Sequence, residues 1–185
     1  IEVLLALHWY LLQAKGRDAS LAERTEFMAA WDELFASLDV ARYGLVMRDY
    51  HSPNIIWRGE REGFERLGIL DFQDALWGPN AYDLASLAQD ARVDVSAEIE
   101  AATFEAYLDE RGKFMPVVAA WLRHEYRIMA LQRNTKILGI FVRLERRDGK
   151  SAYLEHLPRI EAYVRRTLSV SPFSRLKAFY ADMGL

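Results

Sequence analysis

Three polar side chains, Asp49, Asn54 and Asp71, interrupt apolar segments in the middle of the chain. Asp49 precedes Asn54 by five residues, in a loop that Pro53 keeps out of a helix. Asp71 follows the apolar segment LGIL, where a strand would end. Two carboxylates and an amide are oxygen ligands of the kind that Mg²⁺ prefers. In phosphoryl transfer, one carboxylate orients the attacking hydroxyl, while a second carboxylate and an amide hold Mg²⁺ against the nucleotide phosphates.

The order of these residues matches the loops of protein kinases. There the catalytic Asp precedes an Asn by five residues, and the metal-binding Asp comes later, at a strand end before a Phe. Asp49, Asn54 and Asp71-Phe72 have this order and spacing. An isolated Asp-x-x-x-x-Asn match is common by chance and more often marks a solvated loop. The additional Asp71-Phe72 pair, together with Asp83 downstream, favours a kinase-like site.

The segments around these loops predict a mainly helical α+β fold. Residues 1–14 have the pattern of a buried helix, and a capping box of Ser20 and Glu23 opens the next one, over residues 21–39. Short strands are predicted within 43–47, 54–58 and 65–72, and the second and third form a hairpin. Further helices are predicted to start at residue 80 or 81, at Ser96, at Pro116, near 151 and at Ser171-Pro172.

Composition limits the possible partners and location. The 185 residues suit one domain or one large lobe, and a net charge of −3 argues against a nucleic-acid-binding surface. No apolar run is long enough for a membrane span, and without cysteine there is no disulfide or thiolate chemistry. We therefore expect a cytoplasmic protein without nucleic-acid or membrane partners. The tryptophans are expected in the core: Trp9, Trp31, Trp57, Trp77 and Trp121.

Two blocks of sequence carry a family resemblance. MRDYHSPNIIW and ILDFQDALWGPNAYDLASL resemble the signature blocks of the aminoglycoside phosphotransferase and choline kinase family. QDALWGPNAYDLASLAQDARVDV, and the later stretch from LQRNTK to EAYVRR, are similar to one branch, the anomeric N-acetylmuramate/N-acetylglucosamine kinases of cell-wall recycling. The resemblance covers residues 44–168. It implies a protein-kinase-like fold and an ATP- and Mg²⁺-dependent transfer of phosphate to a small-molecule hydroxyl.

The resemblance also implies roles for the central residues. Asp49 would be the catalytic base, and Asn54 and Asp71 would bind Mg²⁺. Asp83, in the segment AYDLA, would brace the catalytic loop by accepting hydrogen bonds from backbone N–H groups. His51 would lie in the loop near the phosphates.

Two neighbouring positions depart from the family pattern. Met47 stands where a histidine is common, which implies altered packing rather than lost chemistry. Arg48 replaces the glycine of many antibiotic kinases and resembles the arginine of protein kinases.

Contacts with the acceptor are less specified. Gln73 and Asp74 are either turn residues or contacts to the sugar, and Asp90 and Arg92 are either a surface pair or substrate contacts. Asn134 lies on the long helix near other polar residues, for which a solvated face is the first interpretation and the acceptor pocket the second.

A kinase of this fold has two lobes. The smaller one carries a glycine-rich loop and a strand lysine that contact the ATP phosphates, and neither is found before the catalytic loop here. We therefore expect residues 1–185 to be the C-terminal lobe, with its own N-terminal lobe upstream as a partner. Alone, this lobe should bind nucleotide poorly and turn over little.

Several alternatives remain at this stage. The acceptor could be an aminoglycoside or a choline-like alcohol instead of an amino sugar. A metal-dependent phosphohydrolase would use Asp49, His51 and Asp71 and would release phosphate without an acceptor. A non-catalytic binding module would tolerate the loss of Asp49.

Overall fold

The computed structural model describes residues 2–170 and 173–185, and within them the chain is mainly helical with four short strands. The helices are α1 (Leu11–Lys15, preceded by a π-helical segment, Ala6–Tyr10), α2 (Leu21–Ala36), α3 (Ala81–Ala88), α4 (Ala97–Gly112), α5 (Ala119–Asp148), α6 (Leu157–Leu168) and α7 (Ser174–Asp182). The strands are β1 (Gly44–Val46), β2 (Ile55–Trp57), β3 (Leu67–Ile69) and β4 (Leu76–Gly78). The prediction of a mainly helical α+β fold is confirmed. Within the described ranges no helix is both long and apolar enough to cross a membrane.

The chain forms two compact units, one of residues 1–38 and 130–185 and the other of residues 39–129. In the first unit an aromatic core joins α2 to α7, where the rings of Phe27 and Phe179 meet edge to face with centroids 5.4 Å apart. Gly139 of α5 lies against the backbone of Leu5, so closely that a Cβ atom would be 2.2 Å from the Leu5 carbonyl carbon. Glycine is therefore required at this helix crossing.

The second unit contains all four described strands, arranged as two antiparallel pairs. Ile55 pairs with Ile69 in β2–β3, so the predicted hairpin is confirmed. Strand β1 pairs with β4: Gly44 lies opposite Gly78, and Val46 lies opposite Leu76. The sequence did not predict β4, because three residues are too few to show an alternating pattern.

The predicted starts of two helices are confirmed. Ser20 and Glu23 form both hydrogen bonds of a capping box at the start of α2. The Ser96 hydroxyl accepts a hydrogen bond from the Ile99 amide at the start of α4. In each case the capping side chain satisfies an amide that the helix itself leaves unpaired.

The long helix α5 begins later than predicted. It starts at Ala119 rather than Pro116, because two β-branched valines follow the proline and disfavour helical geometry. It ends at Asp148, and Gly149 follows with a left-handed φ of 68°. The predicted start of the last helix at Ser171-Pro172 lies outside the described residues.

The prediction that the tryptophans are core residues is wrong for three of them. Trp31 is fully buried, but Trp57, Trp77 and Trp121 are 65%, 71% and 51% exposed. Trp57 and Trp77 lie on the short strands β2 and β4, where the preceding residues Ile56 and Leu76 are exposed as well, so these strands turn apolar side chains to the surface. The sequence pattern shows that a residue is apolar, but it does not show which other part of the protein packs against it.

Candidate active site

The candidate catalytic loop, residues 48–54, is held at its start by Asp83, in the first turn of α3. One carboxylate oxygen of Asp83 accepts a hydrogen bond from the Met47 amide at 2.6 Å, and the other accepts from the Arg48 amide at 3.0 Å. Arg48 has a left-handed φ of 71°, which costs a non-glycine residue about 1–2 kcal/mol. The two bonds to a charged acceptor offset this strain and fix the backbone immediately before Asp49.

The far end of the loop is held by Asp90, which follows α3 and is fully buried. Its Oδ2 accepts a hydrogen bond from the Ser52 amide at 2.8 Å, and its Oδ1 accepts from the Arg92 amide, also at 2.8 Å. Burial alone would raise the pKa of this carboxyl, but the hydrogen bonds from Arg92 and Ser52 outweigh it and hold the pKa below its usual range. Asp90 is therefore ionised at neutral pH and supports the loop.

Asn54 makes two hydrogen bonds to other residues of the same loop. Its backbone amide donates to the His51 carbonyl at 2.9 Å, and its side-chain Nδ2 donates to the Asp49 carbonyl at 3.0 Å. The intervening residues Ser52–Asn54 form a 3₁₀ turn with Pro53 in its first half. Because the nitrogen of the Asn54 amide is bound inside the loop, its oxygen is the atom left for a cation.

The β2–β3 hairpin aligns the second loop with the first. The Leu70 amide donates to the Asn54 carbonyl at 2.9 Å, which brings Asp71 to the same end of the hairpin as Asn54. Asp71 has a φ of 60°, and its Oδ1 accepts a hydrogen bond from Gln73 Nε2 at 2.6 Å. Among the described non-glycine residues, only Arg48 and Asp71 have positive φ angles. Such strain concentrates at functional sites, and here it falls on both candidate loops.

The donor set of these loops fits Mg²⁺. Magnesium binds through one or two protein oxygen ligands and completes its shell with substrate phosphates and water. Asn54 Oδ1 and Asp71 Oδ2 are oxygen atoms of this kind, so these two residues would hold the ion. No three His, Cys, Asp or Glu side chains within the described ranges are grouped to hold a metal.

The candidate acceptor contacts are scattered. Gln73, Asp74 and Arg92 are exposed in the second unit, whereas the burial of Asp90 favours loop support over contact with an acceptor. Asn134 is fully buried in the first unit. The solvated face expected there is wrong, because the middle of α5 is enclosed by elements distant in sequence.

His51 is also buried, with its Nε2 3.4 Å from both Asn54 Nδ2 and Arg92 Nη1. It therefore lies inside the loop, next to Asn54.

The sequence reasoning missed the supporting position of Asp90. The available signal was an acidic residue two positions beyond the end of α3, among the small and apolar residues of ASLAQDA. An ionisable residue in such a segment is buried only when it is fully hydrogen-bonded.

The chain belongs to the phosphotransferase enzyme family. The model of this family matches residues 2–122, which is more than half of the chain and includes both candidate loops. The family resemblance seen in the sequence is thereby confirmed.

Individual relatives extend the similarity beyond these residues. The chain is 38% identical over 170 residues to the N-acetylmuramate/N-acetylglucosamine kinase of Caulobacter vibrioides, covering 91% of this chain and 46% of that protein. It is 34% identical to the kinase of the same name from Neisseria meningitidis, covering 89% and 49%, and 31% identical to that of Pseudomonas putida, covering 92% and 50%. The chain thus spans about half the length of the curated relatives it matches.

Proposed function

We propose that the full-length protein transfers the γ-phosphate of ATP to a hydroxyl of an amino sugar. The acceptor is N-acetylmuramate or N-acetylglucosamine, and the reacting group is the anomeric hydroxyl. The supporting observation is the loop of Asp49 and Asn54, tied at both ends by buried or partly buried carboxylates and aligned by a hairpin with Asp71. The names of the relatives support the choice of sugar.

In this proposal each residue has one task. Asp49 accepts a hydrogen bond from the sugar hydroxyl and takes its proton as the bond to phosphorus forms. Asn54 and Asp71 hold Mg²⁺, which when bound neutralises charge on the β- and γ-phosphate oxygens. Asp83 and Asp90 keep Asp49 in place, so that the hydroxyl is oriented in line with the leaving group.

An N-terminal lobe completes the ATP site in this proposal. In the family that lobe supplies a glycine-rich loop and a lysine. It would cover apolar side chains that residues 39–129 expose on and near the short strands: Leu45, Trp57, Phe64, Phe72 and Trp77. Residues 1–185 alone would accordingly be close to inactive. We also infer action in the cytoplasm, where ATP is available.

The test is ADP release by the full-length protein with ATP, Mg²⁺ and a panel of acceptors. N-acetylmuramate and N-acetylglucosamine should support turnover, and Asp49→Asn should reduce kcat by at least about 100-fold because the base is lost. Kanamycin and choline serve as the competing acceptors. Turnover with one of those alone would assign a different acceptor, and phosphate release without any acceptor would indicate hydrolysis.

The anomeric position is tested with a matched pair of sugars. The methyl glycoside of N-acetylglucosamine keeps every hydroxyl except the anomeric one, so it should support no turnover above background. Phosphorylation should also remove the reducing end of the free sugar, measured with a reducing-sugar reagent. Equal turnover with the methyl glycoside would place the transfer at another hydroxyl.

A further inference from the structure

A cavity lies in the same unit as the candidate active site but at the other end of the β1–β4 pair. The catalytic loop leaves β1 at Val46, whereas Arg42 and Asn80 lie beyond the opposite end, next to Gly44 and Gly78. Arg42 and Asn80 line a cavity of about 410 Å³. This size is within the range of small-molecule sites, and the cavity lies at the end of the strand pair opposite to the catalytic loop.

The walls of the cavity combine an apolar surface with planar polar groups. Val117, Trp121 and Leu122 supply apolar surface, and about half of the Trp121 surface is exposed. Arg111 and Glu125 supply a guanidinium and a carboxylate. Aromatic rings pack against the C–H faces of sugar-like rings, while guanidinium and carboxylate groups bind paired hydroxyls.

Glu125 is the most informative residue of this cavity. It is only 7% exposed, and its Oε1 accepts a hydrogen bond from the Ala81 amide at 2.7 Å. Burial raises the pKa of its carboxyl, although the Ala81 amide and the charges of Arg111 and Arg42 act in the opposite direction. No other described residue donates to Glu125. The other oxygen, Oε2, has no donor among the described residues and is accessible at the wall of the cavity, where a ligand hydroxyl would donate to it.

The charges around the cavity are balanced. Asp39 and Arg42 form an ion pair at 2.8 Å, and Arg111 and Glu125 supply one further charge of each sign. A strongly charged ligand would find no surplus of opposite charge here.

We propose that this cavity is a second small-molecule site, which binds a neutral polyhydroxylated ring such as a sugar. The ring packs against Trp121, one hydroxyl donates to Glu125 and another accepts from Arg111. This site does not rest on the proposed reaction, because none of the residues that line the cavity belongs to the loop of Asp49.

The test uses the full-length protein labelled with 5-fluorotryptophan and observed by ¹⁹F NMR without ATP. The Trp121 resonance is assigned by its loss in Trp121→Phe, and Trp57, which is distant in sequence and 65% exposed, serves as the internal control. Glucose and N-acetylglucosamine are the probes. We expect a saturable shift of the Trp121 resonance at millimolar sugar, with the Trp57 resonance unchanged.

Two variants test the polar contacts. Glu125→Gln keeps an acceptor for the Ala81 amide but loses the charge, and should weaken the response at least about fivefold. Arg111→Met removes the second contact and provides an independent check should Glu125→Gln fail to fold. Asp49→Asn should leave the response unchanged, because its active site is elsewhere.

Three results would overturn the proposal. One is no Trp121 shift up to about 10 mM of either sugar, ten times a millimolar Kd. Another is a shift that Glu125→Gln and Arg111→Met both leave intact. The third is loss of the shift in Asp49→Asn, which would assign the response to the catalytic site.

Discussion

The candidate catalytic loop and the candidate metal-binding loop, residues 70–75 with Asp71, lie side by side but are held in different ways. The catalytic loop is tied by Asp83 at its start and by the buried Asp90 at its end. The loop of Asp71 is exposed, and three described bonds hold it: one from Leu70 to the other loop, one between Gln73 and Asp71, and one from the Ala75 amide to the Phe72 carbonyl. The first loop is anchored to α3, whereas the second is anchored mainly to itself.

This difference indicates that the two carboxylates need different degrees of positioning before a ligand binds. In the proposed reaction Asp49 would meet a neutral hydroxyl at a fixed distance, so its position would benefit from preorganisation by charged hydrogen bonds. The Asp71 carboxylate would instead meet a cation, whose attraction would orient the carboxylate once the cation is bound. The supports should therefore matter most at the start of the catalytic loop and least in the metal-binding loop.

The largest effect is expected from Asp83→Asn. The introduced asparagine side chain has only one oxygen, so it can accept a hydrogen bond from only one of the Met47 and Arg48 amides. Its NH₂ group, itself a donor, would face the other backbone N–H. Release of the strained Arg48 would shift Asp49, and misplacement by about 1 Å costs on the order of 100-fold in kcat. Steady-state kinetics with the full-length protein would measure the loss.

Asp109→Asn is the matched control for that variant, because it removes the same charge from an exposed position on α4. It should retain the kcat of the unmodified protein. An Asp83→Asn protein as fast as this control would show that Asp49 keeps its position without the two bonds.

A smaller effect is expected from Asp90→Asn. Asp90 binds the end of the loop at Ser52, three residues beyond Asp49. The loss of this bond should therefore displace the Asp49 carboxylate less than the loss of the Asp83 bonds. We expect kcat to fall about tenfold, consistent with the loss of one hydrogen bond to a charged group, and the KM for ATP to change less than twofold. An effect on the KM for the sugar with unchanged kcat would instead assign Asp90 to acceptor binding.

Asp90 should also make stability depend on pH. Its pKa is lower in the folded protein than in the unfolded chain, so its contribution is fully present above the unfolded pKa of about 3.9 and is lost as the pH falls through the folded value. Asp90→Asn should therefore lower the free energy of unfolding, measured with urea, at pH 6, and should lower it by a smaller amount at pH 3. A difference independent of pH would contradict an ionised Asp90.

The sequence predicted the local features of this site and missed the long-range ones. The hairpin, the capping box of Ser20 and the order of Asp49, Asn54 and Asp71 follow from neighbouring residues, and local spacing was sufficient for them. The burial of Asp90 depends on which segments close over the end of α3. That information lies in contacts between residues nearly forty positions apart, such as Ser52 with Asp90.

The smallest effect is expected from Gln73→Met, which keeps the side-chain length but removes the donor to Asp71. Gln73 is exposed, so water replaces its amide and the net loss is near the low end for a hydrogen bond, about 0.6 kcal/mol. The Mg²⁺ concentration for half-maximal activity should therefore rise about threefold, while kcat at saturating Mg²⁺ stays the same, because the bound cation then orients Asp71. A loss of kcat that excess Mg²⁺ does not restore would mean that the metal-binding loop needs preorganisation as much as the catalytic loop does.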